Sequence, residues 1–193
     1  MIRFEPAELI LIRHAPAATN GRLCGRTDVS LQDPDPAALA RASSALEAVR
    51  QVIASPALRC RQTAAALFPG LTPSFDPRLW EQDFGIEEGV EYTDLPDLGP
   101  LPREALATRR PPSGESFADM VSRARPGLEA AAVSAQEAGP VAVVAHAGTV
   151  RAGLAHALGV TQAALAFEIA PLSITRLRCL PGGLSVIAVN VRL

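Results

Sequence analysis

The chain has 193 residues, the length of one ordinary domain, and surface scaling lets such a chain bury roughly 70% of its unfolded surface. All 18 basic residues are Arg and none is Lys, against 20 acids and a formal net charge of -2, so nucleic acid and anionic membranes are not expected partners. Without an amine, Schiff-base chemistry and a Walker-type phosphate loop are excluded, and any bound anion must be held by Arg, His or backbone amides.

Glu8 to Arg13 (ELILIR) reads as a buried strand that stops at His14-Ala15-Pro16. Residues 19–35 are rich in Gly, Asp and Arg and lack a helical period. Asp35 followed by Pro36 signals a helix from Pro36 to Arg50. Gln51 to Ala54 is a second buried strand, and Ser55-Pro56 repeats the cap-and-proline signal for a helix through about Leu67. That places Arg59 in a first helical turn, where a cation opposes the helix dipole and so needs a reason.

Residues 68–114 are Pro-rich with little periodicity, a long irregular loop of the kind that is usually functional, with Trp80, Phe84 and Tyr92 to anchor it. A stripe of Phe117, Met120, Val121, Ala124 and Leu128 predicts a helix from Ser116 to about Ala138, kinked at Pro126-Gly127. Val141 to Ala145 is a third buried strand ending at His146. Thr149 to Leu158 is a helix closed by Gly159. Ile174 to Cys179 and Leu184 to Val191 flank Pro181-Gly182-Gly183 as an antiparallel hairpin. Strands alternating with helices imply a mostly parallel sheet covered on both faces, made mixed by the final hairpin. A single domain over residues 1–193 is the economical reading.

Cys24, Cys60 and Cys179 are odd in number and widely spaced, so neither a disulfide framework nor a zinc site is expected. No apolar run approaches the ~18 residues of a membrane span, and the N-terminus does not read as a signal peptide. A cytoplasmic protein is the expectation, and homodimerisation is compatible with the sequence.

In open α/β sheets ligands sit beyond the carboxyl ends of the strands. His14 and His146 fall there on separate strands, with Arg13 beside the first and Arg59 just after the second strand. Such a cluster repels itself unless an anion sits among it, and planar Arg forks match a phosphoryl group. A neutral His would accept the phosphoryl group covalently, and a carboxylic acid must protonate the leaving oxygen. The loop offers Glu81, Asp83, Glu87 and Glu88 for that task.

Leu11-Ile12-Arg13-His14-Ala15 resembles the Arg-His-Gly signature of the histidine phosphatase superfamily, in the branch of cofactor-dependent phosphoglycerate mutases and α-ribazole phosphatases. The resemblance continues through Gly25-Arg26-Thr27-Asp28-Val29, Ser55-Pro56-Ala57-Leu58-Arg59-Cys60-Arg61-Gln62-Thr63-Ala64, Leu79-Trp80-Glu81-Gln82-Asp83-Phe84-Gly85, Gly114-Glu115-Ser116, and Val143 to Arg151. It implies a metal-independent enzyme without cofactor on a three-layer α/β/α sandwich. By it His14 is the nucleophile, Arg13 and Arg59 clamp the phosphoryl group, His146 is the second histidine and Glu81 the proton donor, with Asp83 the alternative donor. Asn20 matches a phosphate-contacting Asn, and Arg26 and Ala147 join the expected substrate-binding set.

The sequence departs from the family at Ala15 and Ala147, which replace Gly, and at Glu87-Glu88-Gly89, which lacks the usual preceding Trp. Residues 85–110 follow no family pattern, which leaves the substrate open among small phosphorylated metabolites, α-ribazole phosphate included. A phosphoglycerate mutase, a binding module that keeps the pocket without turnover, and a metal hydrolase are the alternatives. Among the remaining residues, Arg22, Arg26 and Arg110 are candidates for a second anionic group. Arg151 reads as half of a structural ion pair, His156 as structural, and Cys60 as a small buried hydrophobe.

Overall fold

Short runs of β-branched and small apolar residues build the centre of the sheet: β1 (Glu8–Arg13), β2 (Gln51–Ala54) and β4 (Val141–Ala145). The computed structural model describes residues 3–33 and 35–192. With β3 (Ser74–Phe75), β5 (Ser173–Leu180) and β6 (Gly183–Arg192) they form one six-stranded sheet ordered β3-β2-β4-β1-β5-β6. Pairing is parallel from β3 to β1 and antiparallel through β5 and β6.

The unbroken apolar run of residues 9–12 in β1, and of all of β4, follows from burial on both faces. Leu9, Leu11, Val141, Val143 and Ala145 face one core, built with α4 (Phe117–Ala138) and α5 (Ala147–Leu158). Ile10, Ile12, Ala142 and Val144 face the other, built with α1 (Pro36–Ala45) and α2 (Leu58–Leu67). The chain is therefore a mixed α/β layer structure with helices on both sides of the sheet. Gly153 lets α5 approach β1, since a Cβ there would stand 2.4 Å from Leu11 Cδ1.

Several boundaries differ from the sequence expectation. The first helix stops at Ala45 rather than Arg50, because Leu46 and Val49 are buried and the chain must reverse into β2. The cap position of α2 is Ala57, which offers no side-chain bond, and Ser55 takes the Ala57 amide only at 3.4 Å while its hydroxyl meets a side chain from beyond β4 at 2.9 Å. α4 takes the expected span, and Ser116 and Asp119 form a reciprocal capping box at its start. That helix runs on through Pro126. The helix expected from Thr149 begins at Ala147, directly after β4. Within residues 68–114 the chain also forms β3, three short 3-10 turns and α3 (Arg103–Thr108), which the Pro-rich composition conceals.

Candidate active site

The register of β1 against β4 sets Arg13 opposite Ala145, and the His14 amide donates to the Ala145 carbonyl at 2.9 Å. His14 and His146, the next residues of the two strands, leave the sheet side by side. Their ring centroids are 5.3 Å apart with the planes at 70°. His146 is fully buried and His14 nearly so.

His14 Nδ1 lies 2.7 Å from the Ala15 carbonyl. A carbonyl only accepts, so Nδ1 carries the hydrogen and Nε2 keeps a free lone pair. Burial, reinforced by the charges of Arg59 and Arg13 and only partly countered by the Ala15 bond, lowers the His14 pKa to about 3. Burial likewise drives His146 well below the ordinary imidazole value, with Arg59, His14, Arg13 and Arg123 adding to the effect. Both rings are thus neutral at physiological pH.

The guanidiniums are fixed by backbone carbonyls. Arg59 is buried and donates Nη1 to Thr27 O at 3.0 Å and Nη2 to Gly25 O at 2.7 Å. Arg13 donates Nη1 to Ile169 O at 2.6 Å, while its buried Nε finds no acceptor among the described residues. Burial works against the Arg13 charge; Glu81 offsets this and Arg151 opposes it again. Arg26 has a similarly orphaned Nε and lies over the Trp80 ring, its Cζ 5.6 Å from the centroid. Buried donors without acceptors are rare and point to an anionic guest.

Trp80, expected only to anchor the loop, takes a larger part. Its ring stacks on His146 at 6.2 Å and 9°, with Arg59 Cζ 6.0 Å from its centroid. The Ser55 hydroxyl meets His146 Nε2 at 2.9 Å, and the buried Cys60 thiol lies 3.5 Å from the same nitrogen. Burial pushes that thiol's pKa up, consistent with the inert hydrophobe expected there. No sequence signal marked Ser55 as the partner of a histidine 91 residues away.

The four candidate acids of the loop separate by environment. Glu87 pairs with Arg109, Asp83 caps the amide of Gly85, and Glu88 accepts the amides of Gly25, Arg26 and Thr27. Of the four, Glu81 is the one bonded beside a histidine: its Oε2 accepts from Gly148 N at 3.1 Å, two residues beyond His146, and its Oε1 from Gln82 N at 3.0 Å. Gly148 makes the room, because a Cβ there would stand 2.0 Å from Glu81 Oε1. Arg123, which the sequence did not single out, donates to the carbonyls of Arg78, Trp80 and Glu81 and so pins this segment.

Ala147 is the first residue of α5, so its amide has no carbonyl to bond within the helix and faces the histidine rim. Asn20 occupies an exposed turn with φ of 51°, and its side chain bonds none of the described residues. Of the candidates for a second anion, Arg22 and Arg110 are engaged by Glu91 and Asp119. Arg151 does not form the structural ion pair expected of it. Its Nε donates to the Phe167 carbonyl, and no carboxylate lies within salt-bridge distance among the described residues. Among those residues, no group of three or more His, Cys, Asp or Glu side chains is placed to hold a metal ion, and no helix is long and apolar enough to cross a membrane.

A family model described as the histidine phosphatase superfamily (branch 1) matches residues 9–192. The chain is 33% identical over 164 residues to a Caenorhabditis elegans 6-phosphofructo-2-kinase/fructose-2,6-bisphosphatase, covering 80% of this chain and 35% of that protein. It is 32% identical over 154 residues to a bifunctional protein of Mycobacterium tuberculosis, covering 75% and 42% respectively. It therefore spans less than half the length of these curated relatives. A mycobacterial glucosyl-3-phosphoglycerate phosphatase superposes with a TM-score of 0.84 at 25% identity, over 96% of this chain and 99% of that one. An α-ribazole phosphatase from Shigella flexneri shares the fold, with a TM-score of 0.81 at 21% identity over 96% of each chain.

The geometry fixes two outcomes. Gly148→Ala forces the Glu81 carboxylate aside, so kcat for a phosphomonoester should fall roughly 10- to 100-fold, while thermal unfolding changes little because Ala favours the helix by up to about 1 kcal/mol. An unchanged kcat would show that Glu81 need not occupy this place. The His14 imidazole, followed by 15N NMR, should stay neutral from pH 8 down to about pH 4, given its lowered pKa. Protonation between pH 6 and 7 would remove the basis for a neutral nucleophile.

Proposed function

The chain belongs to branch 1 of the histidine phosphatase superfamily, and from that premise we propose that it is a phosphomonoester hydrolase that works through a covalent phosphohistidine at His14. One observation carries this reading above the others. The Ala15 carbonyl holds the Nδ1 hydrogen of His14, which leaves the Nε2 lone pair available beside guanidiniums that still have donors to give.

The reaction runs in two displacements. His14 Nε2 attacks phosphorus as the bond to the leaving oxygen breaks, and Glu81 supplies the proton that oxygen needs. Arg13, Arg59, the Ala147 amide and His146 meet the charge that spreads over the equatorial oxygens; Asn20 and Arg26 complete the expected substrate-binding set. Water then attacks phosphorus, Glu81 takes its proton, and the nitrogen–phosphorus bond breaks to return free His14 and inorganic phosphate. No step requires a metal ion.

The substrate is proposed to be a small phosphorylated metabolite. Arg151, without a carboxylate partner and near enough to Arg13 to oppose its charge, supports a second anionic group on that molecule. α-Ribazole phosphate and glucosyl-3-phosphoglycerate, the substrates named for the structural neighbours, head the set to be screened.

Hydrolysis of p-nitrophenyl phosphate in the presence of EDTA is the direct test. Turnover should persist, His14→Ala should lower kcat on the order of 10³-fold or more, and Arg59→Lys should raise KM through loss of the planar fork. Glu81→Gln should harm alkyl phosphates more than p-nitrophenyl phosphate, whose leaving group needs little protonation. Activity that EDTA abolishes, or that survives His14→Ala, would overturn this function.

A further inference from the structure

Glu88 has no place in the chemistry above, yet it is among the most heavily bonded carboxylates in the molecule. Its Oε1 accepts the amides of Gly25 at 3.1 Å, Arg26 at 2.8 Å and Phe84 at 3.2 Å. Its Oε2 accepts from Gly25 N at 3.1 Å, Thr27 N at 3.0 Å and the Thr27 hydroxyl at 2.6 Å. Three successive amides and a hydroxyl thus converge on one carboxylate from a segment more than sixty residues away. Gly25 is what lets the two segments meet: a Cβ there would stand 1.9 Å from Gln82 O and 2.6 Å from Glu88 Oε1.

The other side of the same turn faces Arg59. The amide of Arg26 and the carbonyl of Gly25 belong to one planar peptide unit. Glu88 Oε1 takes the hydrogen of that unit at 2.8 Å, and its oxygen takes Arg59 Nη2 at 2.7 Å. The Thr27 carbonyl, from the next stapled residue but one, takes Arg59 Nη1 at 3.0 Å. A chain of hydrogen bonds therefore runs from carboxylate through peptide to guanidinium, and each bond in such a chain polarises the next. Where the turn sits decides where the guanidinium fork points.

We infer that Glu88 is a positioning residue for the phosphoryl clamp, acting through the Arg26–Gly25 peptide to hold the Arg59 guanidinium. Burial opposes its charge, but the Thr27 hydroxyl and the amides of Arg26, Thr27 and Phe84 outweigh that and keep its pKa below the ordinary carboxylate value. The carboxylate is accordingly ionised wherever the enzyme works. Glutamine cannot replace it, since a carboxamide turns an NH2 group toward N–H donors. The inference rests on the proposed role of Arg59 in holding phosphate.

The test is a double-mutant cycle on binding of inorganic phosphate, and separately vanadate, to the whole chain by calorimetry. Glu88→Gln alone should weaken binding about tenfold. In an Arg59→Ala background the same change should weaken it less than about twofold, while in an Arg13→Ala background it should keep its full effect. Glu88→Asp, which keeps the charge at shorter reach, should fall between wild type and Glu88→Gln and show the same coupling, so the cycle stands even where the Gln variant folds poorly. Losses that multiply in the Arg59→Ala background, or coupling of equal size to Arg13, would reduce Glu88 to a general support of the loop and overturn the inference. Wild-type protein that binds neither anion, or binds them unchanged after Arg59→Ala, would overturn it together with the proposed role of Arg59.

Discussion

The site depends on one constraint, the parallel register of β1 against β4. With Arg13 opposite Ala145, the two strands end at the same level, and the residue after each end is a histidine. A slip of one residue would turn one imidazole to the other face of the sheet. The register is itself fixed by burial on both faces, because Leu9 and Leu11 must enter one core while Ile10 and Ile12 enter the other. Positioning the reacting groups and packing the two cores are therefore the same physical problem.

Bringing two imidazoles and two guanidiniums together would fail if all four were charged. Desolvation removes part of that charge: both histidines lose their protons far more readily than in water, while the guanidiniums are met by backbone carbonyls from Thr27, Gly25 and Ile169. The resulting pocket combines neutral nitrogen with fixed positive charge. Of the four candidate acids, Glu81 is the one that the fold brings beside the strand end at His146, because Gly148 has no side chain and Arg123 gathers the carbonyls on either side. Trp80 closes one side by stacking on His146.

The parts of this arrangement that sequence shows are those encoded locally. Residues 9–12, 52–54 and 141–145 are apolar at every position, so the central strands and the histidines at the ends of two of them can be read directly. The capping box at Ser116 is equally local. What stays hidden depends on contacts across the chain. Ser55 followed by Pro56 carries every mark of a helix cap, but its hydroxyl is taken by His146 on another strand. The two-residue edge strand β3 is exposed and leaves no periodicity. Residues 81–88 display four acids of similar appearance, and only their partners, Arg109 for Glu87, Gly85 for Asp83 and three stapled amides of residues 25–27 for Glu88, leave Glu81 for the pocket. Arg151 departs in the opposite direction: its sequence setting suggests an ordinary ion pair, and among the described residues no carboxylate stands within salt-bridge distance.

The chemistry proposed for this site turns on a covalent step at His14, and locating the phosphoryl group decides whether it occurs. The chain would be mixed with a phosphomonoester, quenched within milliseconds, digested under alkaline conditions and mapped by mass spectrometry. One phosphorylated peptide is expected, with the group on the His14 imidazole, stable to alkali, labile to acid and lost on continued incubation. Rapid hydrolysis with no phosphopeptide at any quench time, or a phosphoryl group on His146 instead, would contradict it.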